Sequence, residues 1–125
     1  MFGRACLAVL CVATTTLAAQ GQAVVKTENG QGARLKGLDT ITGEVSEMEL
    51  AVGGTIRYER LEITLKECRY PEGNISSEAF AYLVIQDDRS KTPNFDGWMI
   101  ASSPALSALE HPRYDVWVTR CTTSS

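Results

Sequence analysis

The chain has 125 residues, 44% of them hydrophobic, and a formal net charge of −3. Once an N-terminal extension is set aside, that length holds one small domain and not two. A mildly acidic chain without a basic patch is a poor fit to nucleic acid or to an anionic membrane surface.

Residues 1–23 read as an export signal. Arg4 supplies the positive start, Ala5 to Val12 is unbroken apolar chain, and Ala18, Ala19 and Ala23 offer small-residue cleavage positions. The apolar stretch falls short of the roughly 20 residues that cross a bilayer. Leu7-Ala8-Val9-Leu10 before Cys11 lacks the small residues of a lipid-attachment site. The expectation is a soluble, periplasmic mature chain with no membrane span. Residues 24–33 are polar and Gly-rich and read as a flexible leader. The ordered domain is expected over 34–121, with 122–125 as a frayed tail.

Export leaves two cysteines in the domain, Cys68 and Cys121, neither in a C-x-x-C motif. In an oxidising compartment they are expected to form one structural disulfide closing a loop of about 54 residues. A redox-active pair is the sharper alternative, but nothing beside either cysteine would depress a thiol pKa. A zinc site built from both and His111 would lack a fourth ligand. No metal and no cofactor are expected.

The domain reads as mostly strand. Arg34 to Leu38 opens it, and Asp39-Thr40-Ile41-Thr42-Gly43 has the composition of a turn. Met48, Leu50 and Val52 then alternate with polar residues. Gly53-Gly54 gives a two-residue hairpin signal into Thr55–Tyr58, where Ile56 and Tyr58 face inward. Leu61, Ile63 and Leu65 share a parity that Cys68 breaks, so either a bulge intervenes or the disulfide lies on the other face. Phe80 to Ile85 is apolar on both parities, the pattern of a central strand covered on both sides. Asp87 to Asn94 is a polar loop.

The densest segment is Phe95 to Trp117, which holds both tryptophans and the single histidine. A strand over 95–101 is interrupted at Asp96-Gly97. Ser103 suits a helix N-cap, Pro104 the first helical position, and Pro112 the stop, which predicts a short helix of about two turns. Tyr114 to Cys121 is the closing strand, with Val116 and Val118 on one face and Asp115 and Trp117 on the other. The fold class is therefore mainly β: a single compact β-barrel or β-sandwich with one short helix before the last strand.

The stretch GWMIASSPALSALEHPRYDVW ending at Cys121 resembles the uncharacterised exported bacterial family called domain of unknown function 2155. RLKGLDTITGEV, VGGTIRYERLEITLKECR and AYLVIQ resemble it too, in the same order, so the likeness runs from about Arg34 to Cys121. One departure is the turn before Leu61, where the family usually has a glycine and this chain has Glu59-Arg60. The resemblance implies a periplasmic β-rich domain of a Gram-negative cell and brings no activity with it. It also implies association with the respiratory chain, as an accessory subunit of respiratory complex I.

Two functional readings follow. In the first the chain is a non-enzymatic interaction or assembly domain on the periplasmic side of an inner-membrane complex, with a protein partner in the cell envelope. Trp98, Tyr114 and Trp117 would be its surface, although aromatic residues in so small a domain also serve as core. In the second it is a small-molecule or glycan binder, with hydrolytic activity as a variant. Ser102, His111 and Asp115 would then have to converge on one site, since nucleophilic catalysis needs a base within reach of the hydroxyl and a group to orient that base. No G-x-S-x-G elbow or other catalytic motif supports this, so no catalytic residue is assigned.

Overall fold

The structure is a computed structural model that describes residue 3, residues 11–13 and residues 26–123. The expected export signal, and the leader up to residue 25, lie outside the described residues apart from those isolated positions. Eight strands follow in chain order: β1 (Thr27–Asn29), β2 (Gly32–Asp39), β3 (Val45–Ala51), β4 (Thr55–Tyr58), β5 (Leu61–Pro71), β6 (Phe80–Asp87), β7 (Phe95–Ile100) and β8 (Tyr114–Thr122). All pairings are antiparallel. One sheet has the order β1-β5-β6-β7, with β4 also on β5, and the other the order β3-β2-β8. The two do not close into a barrel.

Both sheets turn their apolar parity onto one core. Leu61, Ile63 and Leu65 of β5 and Leu83 and Ile85 of β6 are wholly buried, facing Leu35 of β2 and Val116 and Val118 of β8. Burying each such side chain contributes about 1.5–3 kcal/mol. Gly37 is required where β2 passes Tyr58, because a Cβ there would lie 2.7 Å from the ring.

Cys68 and Cys121 are disulfide-bonded across the core, with 5.8 Å between their Cα atoms. Two bulges make this possible. The β5–β6 register jumps from Leu65↔Leu83 to Glu67↔Tyr82, leaving Lys66 extra. The β2–β8 register jumps from Leu35↔Val118 to Arg34↔Arg120, leaving Thr119 extra. Each extra residue reverses the parity that follows, so both cysteines face inward three residues after a core residue, Leu65 in one strand and Val118 in the other.

Several expectations need correction. The leader expected over 24–33 is ordered from residue 26: β1 pairs with the end of β5, and β2 begins at Gly32. The tail expected from residue 122 still contributes Thr122 to β8. Gly53-Gly54 does turn, with the Gly54 N–H donating to the Ala51 carbonyl and Gly53 at φ 84°. It joins strands of different sheets, however, so it is a corner between layers and not a hairpin. Gly97 neither bends nor interrupts β7, whose register with β6 is continuous.

The short helix is absent: among the described residues there is none. Residues 101–102 and 104–106 form turns and the rest of the segment to residue 113 is bend or irregular chain, with the Leu106 N–H donating to the Ser103 carbonyl in an i to i+3 contact. Pro104 and Pro112 bracket too few residues to offset the cost of nucleating a helix. Leu106 and Leu109 share no face either, since the first is 79% exposed and the second 6%.

Candidate functional site

At one end of the molecule the strand termini bring a polar network between the sheets. Asp39 ends β2 and Asp87 ends β6, each on the inward parity of its strand, and they are the two buried charged residues among those described. A buried carboxylate must be paired or hydrogen-bonded, and both are.

Asp87 Oδ2 accepts from His111 Nε2 and from Arg60 Nε, each at 2.7 Å, while Oδ1 accepts the Arg89 backbone N–H at 2.9 Å. That backbone donor, then His111 and Arg60, hold its carboxyl far below the usual carboxylate range. Asp39 receives Arg113 through two nitrogens, Nη2 to Oδ2 at 2.9 Å and Nε to Oδ1 at 3.3 Å. The Arg113 guanidinium is the main cause that lowers the Asp39 carboxyl, helped by the Ile41 and Thr42 N–H groups, and Asp39 raises Arg113 in return. Tyr114, 4% exposed, lies between the two ion pairs, with Arg60 and Arg113 stacked 5.5 and 5.3 Å from its ring centre. Tyr58 meets it edge-on.

His111 joins the network to the chain. Its side chain is 2% exposed, and its Nδ1 accepts the backbone N–H groups of Arg113 and Tyr114, each at 3.1 Å. An Nδ1 that accepts two donors carries no proton, so Nε2 bears the hydrogen and donates it to Asp87. Both nitrogens are thereby committed to structure. The ring thereby caps the start of β8.

The polar triad does not assemble. Ser102 binds elsewhere: its N–H donates to Glu78 Oε1 at 3.0 Å and its hydroxyl to Glu78 Oε2. Burial alone would raise the Glu78 carboxyl, but these bonds and the Ala79 N–H bring it below its ordinary value. Asp115 pairs in register with Leu38 and lines a shallow groove with Pro104, Ala108 and Trp117. No hydrogen bond joins any two of Ser102, His111 and Asp115, so the structure offers no relay from base to hydroxyl. Among the described residues no three His, Cys, Asp or Glu side chains are grouped to hold a metal ion.

Asp39, Asp87 and Arg60 went unrecognised in the sequence. Parity carried the signal: residues 81, 83 and 85 face inward, and 87 continues that row, as 39 continues the row of 33, 35 and 37.

The aromatic residues divide. Tyr114 is core, Trp117 is half-buried on β8, and Trp98 is 39% exposed. Trp98 stands opposite Tyr82 on the outer face of the larger sheet, ring centres 5.3 Å apart in an edge-to-face pair. Beside them Phe80, Val84 and Ile100 are half-buried, and Phe80, Trp98, Arg69 and Thr27 line a shallow apolar depression. β6 is central, as its composition predicts, but covered on one side only: Ala81, Leu83 and Ile85 are fully buried, while Phe80, Tyr82 and Val84 look outward. Among the described residues no helix is long and apolar enough to cross a membrane.

Comparison with known proteins places the chain. A family model described as "uncharacterized protein conserved in bacteria (DUF2155)" matches residues 33–121. An uncharacterised protein of Rickettsia prowazekii (strain Madrid E) is 27% identical over 97 residues, which cover 75% of this chain and 63% of that relative. The chain thus spans less than two thirds of that relative's length. No solved structure matches.

Proposed function

Since the chain belongs to the bacterial family designated domain of unknown function 2155, a family without an assigned activity, we propose that it is a non-catalytic interaction and assembly domain. It is exported to the periplasm and docks on an inner-membrane complex, respiratory complex I being the candidate its family resemblance suggests. The two sheets act as a sandwich-like frame stapled by Cys68–Cys121 and latched at one end by the Asp39, Asp87 and His111 network.

The observation that carries this reading is the outer parity of β6. Phe80, Tyr82 and Val84 are apolar or aromatic and half-buried on the outward face of β6, and Trp98, 39% exposed, extends that face. Solvent-facing parity is ordinarily polar, and aromatic residues gathered on an uncovered face mark a surface that a partner hides. Meanwhile His111, Ser102 and Arg113 of the signature segment are engaged in internal bonds, so the histidine is not free to act as a base toward Ser102. A buried disulfide is compatible with an oxidising compartment.

The test is affinity purification of the tagged protein from native membranes in mild detergent, beside a Phe80→Glu/Tyr82→Glu variant. The expected result is a reproducible set of inner-membrane subunits that the variant loses. Recovery of no stable partner, or an unchanged set with the variant, overturns the reading.

A further inference from the structure

We propose that a second copy of this chain docks edge to edge on β7, joining the two larger sheets into one across a two-fold axis at Trp98. The pairing goes beyond the envelope partner proposed above and does not depend on it.

The hydrogen-bond phase of β7 decides which groups are free. The Ala101 N–H donates to the carbonyl of Ala79, the residue directly opposite it, at 2.9 Å. In an antiparallel pair such bonded positions alternate, so Met99, Gly97 and Phe95 turn their N–H and C=O groups toward β6. Asp96, Trp98 and Ile100 turn theirs away, and of these groups the Ile100 carbonyl is already taken by the Ser103 N–H at 3.1 Å. Tyr82↔Trp98 is accordingly a non-bonded pair, the kind that brings side chains closest, in keeping with the edge-to-face contact of the two rings. Among the described residues no strand pairs with that outer edge.

An open edge is usually guarded by charge, and β3 shows how. Its residues also alternate, with the Val52 N–H donating to the Gln31 carbonyl and the Asp39 N–H to the Glu44 carbonyl. Val45, Glu47 and Glu49 therefore present the free groups of β3, together with the Ala51 N–H, since the Ala51 carbonyl is taken by Gly54. A two-fold axis at residue 47, 48 or 49 sets glutamate against glutamate, and like charges directly opposite destabilise a pair.

β7 has no such guard. An axis at Trp98 sets Trp98 against Trp98 and Asp96 against Ile100 of the second copy, so no like charges meet. It also engages all three outward-turned residues, for up to about four inter-chain hydrogen bonds between free groups, the Ile100 carbonyl of each copy being held by its own Ser103 N–H. The row Tyr82–Trp98 then continues into Trp98–Tyr82 of the second copy, doubling the aromatic face.

The test uses the purified, disulfide-intact protein in sedimentation equilibrium, with Trp98→Lys, Trp98→Glu and an equimolar mixture of the two. The expected result is a wild-type dimer, a dimer Kd raised at least about tenfold in each variant alone, and recovery of the dimer in the mixture, because the axis sets Lys against Glu. Glu47→Lys, on the β3 edge of the smaller sheet, leaves the wild-type dimer unchanged. A wild-type monomer at high concentration overturns the proposal even if the protein still captures an envelope partner. So does a Trp98→Lys dimer of wild-type affinity, or a mixture that stays monomeric.

Discussion

Replacing His111 by alanine separates a structural histidine from a catalytic one. The substitution leaves the backbone N–H groups of Arg113 and Tyr114 without their acceptor and removes one donor from Asp87. An unsatisfied buried donor costs about 1–3 kcal/mol, so two cost on the order of 2–6 kcal/mol, with some relief if water enters the cavity. The ring also packs against Tyr114, centres 5.3 Å apart, and that contact is lost. We expect a net destabilisation of about 3–4 kcal/mol. For a domain of about 100 residues this lowers Tm by roughly 15–25 °C. His111→Asn can return a carbonyl oxygen to the position of Nδ1 and should recover about half of the loss. Urea unfolding followed by tryptophan fluorescence reads both. If His111→Ala unfolds within about 1 kcal/mol of wild type, the ring does not cap β8 and the reasoning fails.

Three further outcomes follow from the same structure. Replacing both Cys68 and Cys121 with serine should cost about 4 kcal/mol by the loop-entropy argument for a separation of 53 residues, and unchanged urea midpoints would contradict it. Asp39 and Asp87 both titrate below their ordinary value in the folded protein. They therefore contribute stability that is fully present above the unfolded-state pKa of about 4 and lost as pH falls below it. Melting curves from pH 7 to 2 should show this acid limb, and an Asp39→Asn/Asp87→Asn variant should be less stable at neutral pH with a flatter limb. Glu59 sits at φ 54° at the first position of the two-residue turn joining β4 to β5, where a glycine is preferred. Relief of about 1–2 kcal/mol of left-handed strain, less about 0.5–1 kcal/mol of added chain entropy, predicts that Glu59→Gly is neutral to stabilising by about 1 kcal/mol. A clear loss of stability would show that the Glu59 side chain holds the turn.

Strand positions were legible because period-two burial is written plainly in Leu61-Ile63-Leu65 and in Val116-Val118. The parity of Cys68 signalled a bulge, one of the two readings left open, and the matching bulge at Thr119 had no such marker. What sequence could not supply was pairing partners. Gly53-Gly54 reads as a hairpin until the register assigns β3 and β4 to different sheets. The segment from Ser103 to Pro112 carries helix punctuation, yet burying Leu109 and His111 in the core outweighed local propensity. The candidate triad rested on proximity in sequence, while the partners of His111 and Ser102 come from strand ends and loops far along the chain: Asp87, 24 residues before His111, and Glu78, 24 before Ser102. The departure at Glu59-Arg60 gained a physical meaning, since Glu59 adopts the conformation that a glycine would take and Arg60 supplies an ion pair to Asp87.

The most direct test of the interaction proposal is site-specific photocrosslinking in native membranes from position 80, on the outer face of β6, with position 47 on β3 as the control. The account predicts a discrete adduct between position 80 and an inner-membrane protein, absent from position 47. Adducts of equal yield from both positions, or none to any protein from position 80, would contradict it.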